Sequence, residues 1–477
     1  MRRPKSHILL ICLLALALRL GPLFDNRFHP DEALFSAWSL QIAQGENPLL
    51  TGAPIDKPPL LIYLSALSFF VFGQAELAAR VPNLIASVIS VVLVWRLGGL
   101  LPPLLLALSP FTISFAPTAF LDPMMVMLGL AALVAASRGR LGWAGILLGL
   151  SFAAKVQGFF FAPLVLVFWS PRPPVPPSLY RSIPPSPRPS IAPSLRLAFG
   201  FALIALLVLL WDRARGGLPF WTQQTINYGD IRLIYPGELG PRLIGWASFL
   251  PYFFGPIVGV LGLIGLPPLL RTSPPDRWLL TWLLGLLALH WLFNFPIWDR
   301  YFLLLVPIAA LLLGSAIHHL VPMSLCPPVP RSLCRLVTRT APVAIIAFAL
   351  PFSTAAAESQ YPIGGDHGAN DGIEQVAAYL KTLPAGAVVY DHWLAWELGY
   401  YLGRGFVYLA YFDTPGALAG DLHVFGSDNR YVIFPLHEAP DEVRAAIAPL
   451  GYELVPVFST QNRFDQTSFT VFKIQPR

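Results

Sequence analysis

The chain has 477 residues, 55% of them hydrophobic and 12% charged, with a mean hydropathy of +0.61. Soluble domains hold about 45–50% apolar and about 25% charged residues, so a soluble globular enzyme is excluded. The net charge of +6 and the pI near 9.3 mark membrane topology rather than nucleic-acid binding. At roughly 20 apolar residues per crossing the chain can make about ten spans and still leave well over about a hundred residues outside the bilayer.

The first apolar run, 8–24, follows MRRPKSH. Ala15 and Ala17 would fit a cleaved signal, but a chain with many later spans is anchored by its first helix. Further spanning runs are 81–97, 100–118, 121–137, 141–154, 156–170, 197–212, 245–270, 278–295, 301–319 and 341–357, eleven in all. The basic connections alternate: Arg2, Arg3 and Lys5, then Arg96, then Arg138 and Arg140, then Arg172 to Arg196, then Arg271 and Arg277, then Arg331 to Arg339. The positive-inside rule makes these cytoplasmic, with the N-terminus inside and the C-terminal segment outside. Two runs need special reading. Residues 60–73 are too short to cross and are expected to lie in the outer interface behind Pro58 and Pro59. The run 141–170 is split at Lys155, because a lone cation at the bilayer midplane is costly and the split brings it to the outer surface.

The expected fold class is therefore a mainly α, polytopic membrane protein with a C-terminal extracytoplasmic α/β domain. Residues 1–357 form the membrane domain, with outer loops at 25–80 and 213–244. The segment 171–196, rich in Pro and Ser with four Arg, reads as a cytoplasmic linker. Residues 358–477 form the α/β domain, with strands at 388–393 and 431–435 and helices at 394–402 and 441–450. The three cysteines, Cys12, Cys326 and Cys334, imply no disulfide framework. No glycine-rich phosphate fingerprint or tandem repeat is present.

Acids concentrate in loop 25–80. HPDEALFSAW places Asp31 and Glu32 at a helix start, and APIDKPPLLIYL places Asp56 and Lys57 before the interfacial helix. Helix capping competes with a catalytic reading for both clusters. Asp122 in AFLDPM falls on the same side, with an N-cap before Pro123 as its structural alternative. Lys155 in FAAKVQGF, Arg232 in NYGDIRLIYPGELG, and Arg300 with Tyr301 in PIWDRYFLLLVP also fall at outer boundaries, where each could serve only as an interface anchor. Carboxylates and cations converging on one surface suit a lipid-linked anionic substrate: cations hold its phosphate and a carboxylate takes a proton from an attacking hydroxyl. Asp31, Glu32, Asp56 and Asp122 could also hold a divalent metal ion, which their spacing does not decide.

At these residues the sequence resembles the GT-C membrane glycosyltransferases, in the branch of the protein O-mannosyltransferases and aminoarabinose lipid A transferases. The resemblance spans about residues 8–320 and rests on Asp31-Glu32, Asp56-Lys57-Pro58-Pro59, FGQAELAARVPN at 72–83, Leu121-Asp122-Pro123, Lys155 after a glycine-containing short helix, and Arg300-Tyr301. It implies an inverting transfer of a hexose or pentose from a polyprenyl-phosphate donor to an acceptor hydroxyl outside a cell membrane. By position Asp31 is the base, with Glu32 beside it and Asp122 as the second acid of the site. The resemblance assigns donor contacts to Lys57, Lys155, Arg232 and Tyr301, and we group Asp56 and Arg300 with them. The lipid A branch carries a histidine in its second large outer loop, whereas residues 212–244 contain none. The acceptor is a lipid, a glycan or a protein. A transporter or flippase of lipid-linked sugars is the alternative, and it would place ionisable groups or broken helices near the midplane. A non-enzymatic assembly factor is a third, which leaves the acidic loop without a purpose.

Overall fold

The computed structural model describes residues 5–169, 191–256, 259–260, 263–264, 266–267, 274–323, 331–403 and 407–477. Most of the proline-rich segment 171–196, up to residue 190, and parts of the run 245–270 lie outside the described residues. The chain forms two compact units. One comprises Met1–Leu23, Gln41–Gly73 and Leu77–Gly364; the other comprises Phe24–Leu40, Gln74–Glu76 and Gly365–Arg477.

The first unit is helical. Ser6–Asp25, Glu76–Gly98 and Pro193–Ala214 are long and apolar enough to cross a bilayer, and shorter apolar helices fill in around them. The run 60–73 forms the helix Leu60–Phe72, whose 13 residues reach only about 20 Å. The run 100–118 is not one helix. It breaks into Leu101–Leu108 and Pro110–Phe115, because Pro110 cannot donate to the preceding turn and Ser109 is extended (φ −67°, ψ 122°).

That break explains a charge that the sequence reading passed over. Arg19 sits fully buried in the first spanning helix. Its guanidinium donates to the carbonyls of Ala15 (2.6 Å) and Ala107 (3.2 Å) and to the hydroxyls of Ser87 (2.9 Å) and Thr112 (2.9 Å). Carbonyls at the end of the broken helix have no amide partner of their own, so a cation satisfies them inside the unit.

Glycines set the packing of the helices Leu141–Ala154 and Ile191–Ala214. A Cβ on Gly145 would lie 2.1 Å from the carbonyl oxygen of Leu197, and one on Gly200 would lie 2.5 Å from that of Gly142. Only backbones this bare can approach so closely.

The second unit is a three-layer α/β domain. Its strands are β1 (Val388–Asp391), β2 (Tyr408–Tyr411), β3 (Arg430–Pro435), β4 (Tyr452–Gln461) and β5 (Thr467–Pro476), in the order β2-β1-β3-β5-β4. β1 runs parallel to β2 and β3, while β5 is antiparallel to β3 and β4. Alternation along β3 supplies both cores: Tyr431 and Ile433 pack with the helices Ile373–Leu380 and Ala395–Leu402, and Val432 and Phe434 pack with Pro415–Phe425 and Asp441–Ile447. The expected strands at 388 and 431 and helices at 394 and 441 are present. The β4–β5 hairpin was not anticipated, because its long strands carry polar residues on both faces.

The early segment Phe24–Leu40 belongs to this unit. Arg463 donates to Asp371 (2.8 Å) and to Asn26 (3.2 Å), Asn370 donates to the carbonyl of Phe28 (2.8 Å), and Arg27 pairs with Glu374 (3.3 Å). The Phe28 ring meets Tyr400 edge to face at 4.8 Å.

A buried acid marks the core beneath it. Glu397 is 1% exposed, and its Oε2 has no hydrogen-bond partner among the described residues. Burial first, then the charges of Asp391, Asp31 and Asp366, push its carboxyl up to about 8. The folded chain keeps this proton while the unfolded chain loses it from about pH 4.5, so stability falls as pH rises from about 4.5 to about 8. Glu397→Gln should therefore unfold at higher temperature than wild type at pH 8, with the gain shrinking to nothing near pH 4.5. Thermal unfolding of the full chain in detergent checks this, and a pH-independent difference would contradict it.

Candidate functional site

The helical unit brings together Asp122 and Lys155. Lys155 Nζ lies 2.7 Å from Asp122 Oδ1, and both side chains are almost wholly buried. Asp122 is not the N-cap of the helix Asp122–Ser137; Leu121 occupies that place and Asp122 sits in the first turn. Two hydrogen bonds from one side chain fix that turn. Asn83, within the FGQAELAARVPN stretch, donates to the carbonyls of Thr118 (2.7 Å) and Phe120 (2.6 Å).

Lys155 ends the helix Leu141–Ala154 in extended geometry (φ −159°, ψ 138°), and a 3-10 turn, Val156–Phe161, follows. Gly158 permits the reversal, since a Cβ there would fall 2.3 Å from the backbone of Ser151. Ser151 in turn donates to the carbonyl of Met125 at 2.7 Å, which locks the Lys155 helix onto the Asp122 helix.

From this pair a ladder of cations and aromatic rings extends. Lys155 Nζ lies 4.7 Å from the Tyr301 ring centre, Tyr301 lies 5.5 Å from Trp298, and Trp298 lies 5.5 Å from Tyr228. Arg300 covers Trp298 at 4.2 Å and Phe120 at 5.2 Å. At the far end Lys57 Nζ sits 4.5 Å from the Tyr228 ring and 3.3 Å from its hydroxyl. Asp56 accepts from Lys57 (2.6 Å) and from Asn227 (3.2 Å), so its carboxylate does not cap the helix Leu60–Phe72. A row of three rings thus separates Lys155 from Lys57, with Arg300 over the middle ring, and the ring faces attract the cations while keeping like charges apart.

The loop that carries Asp56 and Lys57 is held by a pair that sequence reasoning missed. Arg215 and Asp212 form a buried ion pair at 2.8 Å, and Arg215 also donates to the carbonyls of Ala53 (3.1 Å) and Leu218 (2.6 Å). The pattern WDRAR at the end of a span, with acid and base three apart, was the available sign.

Arg232 is engaged elsewhere. It forms two hydrogen bonds to Glu238, at 2.9 and 3.0 Å, and covers the Tyr235 ring at 4.3 Å. The guanidinium and the Tyr235 amide hold the Glu238 carboxyl down at about 2. Its loop is zipped to the end of the helix Pro274–Leu292 through Asn294 (2.8 Å to the Arg232 amide). Arg242 satisfies the last carbonyls of that helix, including those of His290 (2.8 Å) and Trp291 (3.2 Å). His290 faces Tyr301 at 5.7 Å and donates through Nδ1 to the carbonyl of Leu286 at 2.8 Å. It lies beyond the loop in which the sequence reading looked for a histidine.

In the α/β unit the two acids of HPDE part roles. Glu32 is buried and accepts from the His29 amide at 3.1 Å, while His29 Nδ1 accepts from the Asp31 amide at 3.2 Å. This reciprocal arrangement caps the helix Pro30–Ala43 and consumes Glu32. Asp31 is half-buried. Among the described residues no three His, Cys, Asp or Glu side chains converge as a metal-binding set.

These features meet a set of known proteins. Residues 56–175 match the family model of dolichyl-phosphate-mannose-protein mannosyltransferase. Over 131 residues the chain is 29% identical to the "Putative mannosyltransferase YycA" of Bacillus subtilis (strain 168); the match covers 24% of this chain and 19% of that protein. The fold matches ArnT from Cupriavidus metallidurans bound to undecaprenyl phosphate, with TM-score 0.59 and 14% identity, and its apo state, with TM-score 0.62 and 14% identity. Each match covers 98% of both chains. The protein is a polytopic membrane protein with the GT-C fold. The ArnT-like fold over the whole chain and the family match over residues 56–175 are in line with the GT-C resemblance read from the sequence.

Removing one partner of the buried pair leaves a stranded charge. Lys155→Met should destabilise the chain by about 3–5 kcal/mol, whereas the double change Asp122→Asn with Lys155→Met should recover most of the loss. Thermal unfolding in detergent measures both, and a double variant no better than the single would contradict the pairing.

Proposed function

We propose that the protein transfers a sugar from a polyprenyl-phosphate donor to an acceptor hydroxyl on the extracytoplasmic side of a cell membrane, with inversion at the anomeric carbon. The observation that carries this reading is the ladder Lys57–Tyr228–Trp298–Tyr301–Lys155, with Arg300 over Trp298 and Asp122 behind Lys155. Such a lining favours a phosphate whose charge increases as it leaves. The membrane unit around it suits a donor whose lipid tail remains in the bilayer. The resemblance to the known enzymes supports the same assignment, and the ArnT structure holds undecaprenyl phosphate.

In the reaction the acceptor oxygen forms a bond to the anomeric carbon as the carbon–oxygen bond to phosphate breaks. The leaving polyprenyl phosphate keeps the electron pair, and the acceptor proton passes to a carboxylate. Asp31 takes that proton in our assignment, because its neighbour Glu32 is committed to the helix cap. Lys57, Lys155 and Arg300 receive the phosphate charge. Asp56 orients Lys57 and Asp122 orients Lys155, each through its ion pair. Tyr301 stands over Lys155 as the wall of the site. Arg232 orders the loop that carries it through Glu238, and a direct donor contact would require it to leave that carboxylate.

The test is transfer in proteoliposomes supplied with polyprenyl-phosphate-linked hexoses and pentoses. Asp31→Asn should lower turnover by about 10²–10⁴-fold with donor binding retained. Lys57→Ala should act mainly by raising the KM for donor. Full activity in Asp31→Asn would remove it as the base, and failure to release polyprenyl phosphate from every donor would contradict the reading.

A further inference from the structure

The α/β unit carries a second feature that the transfer chemistry does not use. β1 lies between β2 and β3 and is parallel to both. The chain leaves β1 toward one side and β3 toward the other, so the connections diverge and open a crevice beyond the carboxyl ends of these two strands. In parallel sheets this is where ligands bind.

The residues at that edge have a distinct chemistry. After β1 come His392 and Trp393; after β3 come Leu436, His437 and Glu438; at the end of β2 stand Tyr411 and Phe412. His392 Nδ1 lies 3.0 Å from Glu438 Oε1, which joins the ends of β1 and β3 across the crevice. The His392 ring stacks on Phe412 (5.5 Å, 26°) and on Tyr411 (6.1 Å, 24°). Trp393 meets Tyr411 at 5.4 Å, nearly edge to face. Both rings are open to solvent, Trp393 at 66% and Tyr411 at 49% exposure.

Trp393 is also strained. Its φ is +66°, a conformation that bulky residues rarely adopt and that Gly adopts freely. A large apolar ring held outward in an unfavourable backbone state contributes nothing to the core, and such outliers gather at binding sites.

We propose that this crevice is a carbohydrate-binding subsite. The axial C–H face of a pyranose or furanose ring stacks on an exposed indole or phenol, while its hydroxyls need donors and acceptors at the rim. Trp393 and Tyr411 supply the faces; Glu438 and the His392 and His437 imidazoles supply the polar rim. A surface made to enter lipid would not set a carboxylate, hydrogen-bonded to an imidazole, beside its aromatic rings. The inference is independent of the sugar-transfer reaction.

The test uses the full chain in nanodiscs with oligosaccharides of mannose, glucose, galactose and arabinose, followed by saturation-transfer NMR and tryptophan fluorescence. At least one series should bind. Trp393→Gly should weaken that binding tenfold or more while unfolding at or above the wild-type temperature, because Gly relieves the strain; Tyr411→Ala should weaken it comparably. Absence of binding to every series, or wild-type affinity in both variants, would overturn the proposal. Quenching of Trp393 by brominated nanodisc lipids would also overturn it, in favour of a membrane-docking surface.

Discussion

The buried ion pair between Lys155 and Asp122 is the constraint on which the functional site of the helical unit rests. Two charges withdrawn from water cost several kcal/mol each unless geometry and further contacts compensate. The chain meets that condition with small residues. Gly158 permits the turn after Lys155, Ser151 ties its helix to Met125, and Gly145 with Gly200 brings the next helix against its back. Asn83 holds the turn before Asp122. A bulky substitution at any of these glycines would shift the ammonium before it changed any chemical group.

Once the pair is in place, the aromatic ladder follows from the need to keep several cations close together. Lys57, Arg300 and Lys155 would repel one another across an empty cleft. Ring faces between them offer attraction without neutralising them, so their charge remains for an anionic substrate. Asp56 backs Lys57 and Asp122 backs Lys155, which orients these two cations at the cost of part of their charge.

The sequence exposed this site unevenly. Asp122 and Lys155 could be found because each interrupts an apolar run, where an ionisable residue needs a reason. Asp31, Glu32 and Asp56-Lys57 stood out from their outer loop, but their separate duties did not: in the fold Glu32 serves the helix cap, whereas Asp56 serves Lys57. Tyr228 and Trp298 were invisible, since aromatic residues abound in this chain and nothing in their spacing marks them. Arg19 escaped for the opposite reason. It sits in a run read as apolar, and its partners include the Ala107 carbonyl and the Thr112 hydroxyl on either side of the break at Ser109 and Pro110, which hydropathy averages away. It is a buried cation inside a span, as a transporter would also require, yet its donors are committed to neighbouring carbonyls and hydroxyls. In the α/β unit β1 and β3 were readable from their apolar patterns, while the β4–β5 hairpin, wet on part of both faces, was not.

The most direct measurement is binding of polyprenyl phosphate and of the matching polyprenyl alcohol to the purified chain, followed by native mass spectrometry. If the cation ladder receives a phosphate, the phosphate form binds at least about tenfold more tightly, equivalent to about 1.4 kcal/mol. That preference should disappear in the double variant Lys57→Ala with Lys155→Met, while the alcohol binds as before. Equal binding of the two lipids by the wild-type chain would contradict the account.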